Sequence, residues 1–272
     1  MDKKLVIVRG GGDIASGTIM KLYKCGYSVL VLEIEKPSSI RRNVSFSEAV
    51  YEKTQTVEDV TCYLAENIDT AKEYLKQEKL TMLIDSNCDC LSDFSPIAVV
   101  DAILAKKNLG TNKDMAPITI ALGPGFKAGV DVDAVIETMR GHSLGRVILD
   151  GEAIENTGVP GIIAGFGKER VIHSPAKGVI KNIHHVTDTV KKNELIAEIH
   201  SPEGITPVYA TIDGLLRGLI RDGYYVTNGF KIADIDPRSN EYNNCFTISD
   251  KARCIAGGVV EAIMYLSGNK QL

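Results

Sequence analysis

A parallel, doubly wound α/β sheet, followed by a small β-rich unit and a terminal helix, is the fold class that three observations predict. Apolar runs alternate with helix-compatible runs from the N-terminus to Asp150, the texture of βα units around a parallel sheet. Past Asp150 glycines and prolines thicken (Gly151, Gly158, Pro160, Gly161, Gly165, Gly167) and short β-like runs begin. From Ser249 onward the spacing is helical again. The expected divisions are 1–150, 151–240 and 241–272.

The first element is a strand, Leu5-Val6-Ile7-Val8. It leads into Gly10-Gly11-Gly12-Asp13-Ile14-Ala15-Ser16-Gly17, then a helix-like run from Ile19 to Tyr23. A second strand, Ser28 to Leu32, ends on Glu33. Strand, glycine turn, helix, strand and acid make up a Rossmann-like nucleotide unit, here with Gly10-x-Gly12-x-x-Ala15. Glycines bring backbone N–H groups close to a phosphate, and the helix N-terminus adds its positive dipole end. Glu33 is spaced to accept hydrogen bonds from a ribose 2′-OH. Gly10, Gly11, Gly12, Asp13, Ala15, Ser16, Gly17 and Glu33 are therefore candidate cofactor-binding residues. The alternative is a tight βα turn that binds nothing.

Pro37 stops the second strand, and Arg41 and Arg42 follow in its loop. They are read either as holding a second phosphate, which arginine pairs bidentately, or as solvated surface charges. A short helix is expected at Phe46–Tyr51 behind Ser45, a strand at Val60–Leu64, and a helix at Asn67–Lys79. The buried strand Leu80–Ile84 ends on Asp85, which either faces the ligand crevice or caps the next turn. Ile97–Asp101 and Ala102–Lys107 cannot be divided into strand and helix by periodicity. Lys106 and Asn108 precede Gly110, a C-cap candidate, and join the binding set with Asp85.

The strand Ile118–Leu122 runs into a second glycine turn, Gly123-Pro124-Gly125. Two glycine turns at strand ends belong on the same edge of one parallel sheet, where ligands bind. Val130–Met139 reads as a helix and Val147–Leu149 as a strand. Between them, Arg140 and His142 sit in a glycine-containing loop that ends at Arg146, Arg140 being read with Arg41, Arg42 and Lys106 as a cation for the ligand or as closing a surface turn. His142 is read as a neutral ligand contact or as a plain turn residue. Catalytic residues are left unassigned and no metal site is expected.

Comparing the β-rich part with itself reveals a repeat at an offset of 36. Lys177-Gly178-Val179-Ile180-Lys181 aligns with Asp213-Gly214-Leu215-Leu216-Arg217, Val190 with Val226, and Ile196–Ile199 with Ile232–Ile235. Two β half-units related by a pseudo-dyad are expected to form a small flattened barrel. This resembles the biotinyl/lipoyl fold, the barrel-sandwich hybrid. The hairpin at His200–Pro207 has no lysine, so a swinging-arm carrier is not expected. In the tail, Ser249 suits an N-cap, and Gly257-Gly258 inside the helix costs about 1 kcal/mol per glycine against alanine. A close backbone contact would explain that cost.

Composition excludes some classes. At 272 residues, 44% hydrophobic, 24% charged and a net charge of −4, the chain has no basic block for nucleic acid. No apolar stretch approaches membrane-span length, and no signal peptide is visible. Six scattered cysteines read as reduced thiols in a cytoplasmic protein, and Cys88-x-Cys90 lacks a second pair at zinc spacing.

Several stretches carry a family resemblance: Arg9–Gly17, Arg41–Tyr51, Ala105–Gly110, Leu122–Phe126 with Gly129–Val132, Glu137–Arg146, Asp236–Arg238 and Ile248–Ala262. Together they resemble the YqeB-type accessory proteins of selenium-dependent molybdenum hydroxylase systems, over nearly the whole chain. XdhC-type maturation proteins are related to these and also carry a Rossmann domain. The resemblance implies a role in making or inserting a molybdopterin-type cofactor. It implies the hydroxylase apoenzyme and other maturation proteins as partners, with self-association left open. The Cys88-Asp89-Cys90 loop is a departure from the family's shorter link. An NAD(P) cofactor in an oxidoreductase, supported by Glu33, and a non-catalytic scaffold are the competing readings.

Overall fold

The computed structural model describes residues 4–156, 158, 161–238 and 240–270, so Pro160 of the glycine- and proline-rich stretch lies outside the described residues. The chain forms two compact units. One comprises Met1–Pro37, Ser45–Thr157 and Ile248–Leu272, and the other Ser38–Val44 with Gly158–Thr247. The units are thus interleaved in sequence, and the terminal helix belongs with the first rather than standing alone.

The first unit opens with β1 (Leu5–Arg9), α1 (Asp13–Lys24) and β2 (Ser28–Glu33). It continues with α2 (Ala49–Glu52), β3 (Thr54–Val57), β4 (Val60–Ala65), α3 (Ile68–Lys76), β5 (Leu80–Ile84), β6 (Ala98–Asp101) and β7 (Ile118–Leu122). Then follow β8 (Lys127–Ala128), β9 (Ala134–Ile136), β10 (Val147–Ile148) and β11 (Gly151–Glu152), and at the far end of the chain α4 (Asp250–Lys270). The main sheet has nine strands in the order β10-β9-β7-β6-β1-β2-β5-β4-β3. Its inner strands are nearly continuous apolar runs, as strands covered on both faces require, with Thr81 and Thr119 buried among them; Val6, Ile7 and Val8 of β1 are fully buried.

The expected all-parallel sheet is corrected to a mixed one. Seven strands from β4 to β9 run parallel, while β3 lies antiparallel to β4 and β10 antiparallel to β9. At one edge the cause is local. Only Glu58-Asp59, with Glu58 at φ +53°, separates β3 from β4, and so tight a hairpin returns antiparallel. The expected helix at Val130–Met139 is also corrected. Ala134–Ile136 is strand, and the carboxylates of Asp131 and Asp133 accept from the amides of Lys127 (2.7 Å) and Thr119 (2.9 Å). Those side-chain bonds, with β-branched Val130, Val132 and Val135, favour turn and strand over helix.

Helices do not fill every crossover. The links from β5 to β6 and from β6 to β7 hold only 3-10 turns, Asp89–Asp93 and Lys113–Met115. The helix-compatible run Ala102–Lys107 is irregular, with Leu104 and Lys106 left-handed at φ +59° and +61°. In α4 Ser249 Oγ accepts from Ala252 N–H at 3.2 Å, the expected cap, and in α3 Asn67, expected as the first helical residue, instead caps the helix by accepting from Thr70 N–H at 2.9 Å. A Cβ at Gly17 of α1 would stand 2.8 Å from Ala252 of α4. Gly258 faces the carbonyl of Gly145, which explains one glycine of the pair in α4; Gly257 has open space.

The second unit contains β12 (Val171–His173), β13 (Gly178–Asn182), β14 (Thr189–Val190), β15 (Leu195–Ser201), β16 (Gly204–Tyr209), β17 (Gly214–Leu219), β18 (Tyr225–Val226) and β19 (Lys231–Asp236). In place of one flattened biotinyl-like barrel there are two four-stranded antiparallel sheets, β12-β19-β17-β14 and β16-β15-β13-β18. The repeat maps β13 onto β17, β14 onto β18 and β15 onto β19. The short strands are exchanged between copies: β14 pairs with β17, and β18 with β13. A shared core of Ile180, Ile196, Ile199, Leu216, Ile232 and Ile235 lies between the copies. The segment Ser38–Val44 joins this unit through Ile40, whose carbonyl accepts from Leu219 N–H at 2.8 Å.

Candidate functional site

The sheet order places a switch point at β1, with β2 on one side and β6, formed later in the chain, on the other. The carboxyl edge at such a point is where open α/β sheets bind ligands. Gly10–Gly12 follow β1, Glu33 ends β2, Asp85 follows β5, Gly123–Gly125 follow β7, and the loop with Arg140 and His142 follows β9. These parallel strands bring all five groups to one edge.

The first glycine turn is closely built. Gly10 is left-handed at φ +90°, and a Cβ there would stand 3.1 Å from Ile103 Cα. Gly11 N–H donates to Glu33 Oε2 at 2.7 Å, and its carbonyl accepts from Ser47 N–H at 2.8 Å. Ser16 Oγ donates to that carbonyl at 3.2 Å and accepts from Phe46 N–H at 2.9 Å. The Phe46-Ser47 backbone therefore covers Gly11, whose Cβ would meet Ser47 N at 2.9 Å. Ala15 and Gly17 are buried, Gly17 against α4. Gly12, Asp13 and Ile14, at the start of α1, are half-buried.

Glu33 is turned toward backbone: Oε2 takes Gly11 N–H and Oε1 takes Ile34 N–H at 2.8 Å. Burial pushes its carboxyl above the usual range, against the pull of those two bonds. Asp85 takes its capping alternative, accepting from Asp89 N–H (3.0 Å) and Cys90 N–H (2.9 Å). Burial raises it, but the hydrogen bonds from Cys90, Asp89 and Asn87 prevail and hold it below the usual range.

The second turn is fitted to the loop beside it. Gly125, at φ +104°, would carry a Cβ 2.6 Å from Lys107 N, and Gly123 one 2.6 Å from Thr138 Oγ1. Pro124 lies half-buried between them, and Lys106 is exposed. Asn108 closes its own turn, accepting from Gly110 N–H and donating to the Thr111 carbonyl, each at 2.8 Å. Arg140 makes a two-pronged pair with Asp250 in the first turn of α4, at 3.0 and 3.2 Å. His142 is exposed. Arg41 and Arg42 belong to the second unit, where they donate to the carbonyls of Asn244 (3.1 Å) and Leu219 (2.9 Å).

Sequence reasoning passed over two groups at this edge. Arg9, Asp101 and Thr111 form a buried network: Thr111 Oγ1 donates to Asp101 Oδ2 at 2.6 Å, and Arg9 lies 3.6 Å from the same carboxylate. Arg9 and Asp101 are charged ends of apolar strands, the signal already used for Glu33 and Asp85. Lys251, half-buried in the first turn of α4, has its pKa lowered by burial and by Arg140, while Asp13, Glu137 and Asp250 oppose the shift. Cys88 is a buried thiol pushed up to about 11, chiefly by burial, and Cys90 is pushed higher by the same cause. Neither is a ready nucleophile.

Among the described residues no helix is long and apolar enough to cross a membrane. No group of three or more His, Cys, Asp or Glu among them is placed to hold a metal ion.

No family model matches the chain. Solved structures similar in chain path include an aspartoacylase family protein from Mesorhizobium loti MAFF303099, with TM-score 0.27, 11% identity, and 88% of this chain and 86% of that one covered. A succinylglutamate desuccinylase/aspartoacylase from Rhodobacter sphaeroides has TM-score 0.30 and 12% identity, covering 88% and 87%. The ectoine utilization protein EutE (DoeB) from Ruegeria pomeroyi has TM-score 0.26 and 9% identity, covering 86% of each chain. The expected molybdenum-cofactor maturation role and XdhC-like label have no counterpart among these neighbours, which are named as aspartoacylase, desuccinylase and ectoine-utilization proteins, and both are set aside. TM-scores this low carry no activity over to the present chain. The chain is similar to Uncharacterized protein YqeB of Escherichia coli (strain K12), 50% identical over 97% of its own length, and spans about half (48%) of that protein.

Proposed function

We propose that the first unit binds a phosphate-bearing, nucleotide-type ligand, with NAD(H) as the representative, at the carboxyl edge of its sheet. The observation that carries this is the start of α1 at Gly12, directly after β1 at the switch point, with Gly12, Asp13 and Ile14 only half-buried. A helix N-terminus there offers backbone N–H groups and positive dipole to a phosphate. Lys251, within electrostatic reach of Asp13, adds positive charge on the same side. Glu33 and the Phe46-Ser47 backbone occupy the Gly11 part of the turn. The phosphate is therefore assigned to the amides that open the helix rather than to Gly11. Glu33 keeps further lone pairs for a ribose hydroxyl, and its charge favours NAD over a 2′-phosphorylated dinucleotide.

Titration calorimetry and thermal shift with NAD(H), NADP(H) and ADP test this. Binding at a ligand concentration of about 100 Kd stabilises the fold by about 2.7 kcal/mol. Gly12→Val puts a branched side chain at the helix start and is expected to abolish that shift in a protein that still folds. A folded Gly12→Val variant with unchanged affinity, or no shift with any of these ligands, would reject the site.

A further inference from the structure

The buried network at the carboxyl edge has a geometry that ligand binding alone does not require. Arg9 is 3% exposed at the end of β1. Its Nη1 donates to Thr111 Oγ1 at 2.5 Å. Its Nη2 donates to the Ser86 carbonyl at 2.9 Å and reaches the Leu109 carbonyl at 3.4 Å. Asp101 balances the charge, and its second oxygen accepts from Ile103 N–H at 3.2 Å. One guanidinium therefore ties the β5–β6 crossover to the β6–β7 crossover.

Those are the two crossovers that contain only 3-10 turns. They also hold Cys88, Leu104 and Lys106, three non-glycine residues with left-handed backbone, at φ +65°, +59° and +61°. Such conformations persist only where the surroundings over-determine them, and they cluster at functional sites. Leu104 and Lys106 lie in the loop against which both glycine turns are fitted, Gly10 at Ile103 and Gly125 at Lys107. Moving this loop moves both turns.

We infer that Arg9 is the positioning residue of this edge, holding the strained loop 102–111 through Thr111 and Leu109 so that both glycine turns keep their binding geometry. The consequence for ligand rests on the nucleotide reading above; the consequence for the loop does not. Lysine cannot replace Arg9, because a point charge with one nitrogen does not span Thr111, Ser86 and Leu109 together.

The full chain is compared with its Arg9→Lys, Thr111→Val and Thr111→Ser variants by hydrogen exchange, thermal unfolding and calorimetry with NAD+. Thr111→Val keeps the shape and removes the bridging hydroxyl, so it serves where Arg9→Lys fails to fold. In Arg9→Lys and Thr111→Val, exchange at 102–111 should rise roughly tenfold or more, as expected for one lost charged hydrogen bond, with the β1 and β2 amides unchanged. NAD+ affinity should fall by a similar factor, and Thr111→Ser should restore both. Unchanged exchange at 102–111 in folded variants, or a uniform rise across the whole unit, would overturn the role of Arg9. Absence of NAD+ binding by the wild type would reject the nucleotide reading, and the exchange data would then decide the role of Arg9 by themselves.

Discussion

Glu33 and Asp236 are both buried carboxylates, yet they respond to pH in opposite senses. Burial raises Glu33, and the bonds from Ile34 and Gly11 only moderate that rise. Its folded pKa lies above the unfolded one, so its contribution is fully present below the ordinary carboxylate pKa and is lost as pH rises through the raised value. Asp236 is raised by burial too, but its bonds from Arg238, with Arg217 nearby, prevail and lower it. Its contribution is present above the ordinary value and is lost as pH falls through the depressed one. Melting temperatures of wild type, Glu33→Gln and Asp236→Asn across acid to neutral pH check this. The gap to Glu33→Gln should move in the variant's favour as pH rises, and the gap to Asp236→Asn in the wild type's favour. Slopes of the same sign would contradict the assignment.

Helix α1 depends on a glycine chosen for packing rather than for ligand. A Cβ at Gly17 would meet the Ala252 side chain and carbonyl at 2.8 Å. Gly17→Val is therefore expected to cost about 1–3 kcal/mol, the range for overpacking, and to loosen the start of α4. Urea unfolding gives the first quantity and exchange at 250–256 the second; a variant as stable as wild type would show that the helices separate freely. Gly17 also shows how far the sequence was legible. Strand–glycine–helix–strand–acid was readable at β1, α1 and β2 because period and turn chemistry agree there. The same glycines have two physical uses, phosphate approach and close backbone packing, and pattern alone does not divide them. Val130–Met139 misled because helical spacing of apolar residues coincided with aspartates that bond backbone in a turn. Arg140 was read as a ligand cation, but its partner Asp250 lies 110 residues away, a distance that local spacing does not reveal.

At the scale of the whole molecule, the clearest sequence signal was the 36-residue offset, and the strands follow it. Gly178 and Gly214 occupy equivalent places at φ +153° and +156°, each facing a cross-strand carbonyl, that of His200 or Asp236. Ile199 and Ile235 stand 2.9 and 2.8 Å from the two Cβ positions. Gly178→Ala and Gly214→Ala should therefore destabilise the second unit by similar amounts, on the order of 1–3 kcal/mol each. A large cost in one and none in the other would show that the dyad ends at the backbone. The interleaving of Ser38–Val44 into that unit was not legible, because the pairing of Ile40 with Leu219 joins residues far apart in sequence.

A nucleotide-type ligand is expected on the carboxyl edge of the large sheet. Amide hydrogen exchange of the wild-type chain with and without saturating NAD+ tests it most directly. Protection is expected at Gly12–Ala15, with a second patch in the loop 102–108, while β3 and β4 at the far edge stay unchanged. No protection at Gly12–Ala15 while NAD+ is bound, or no NAD+ binding at all, would contradict the claim.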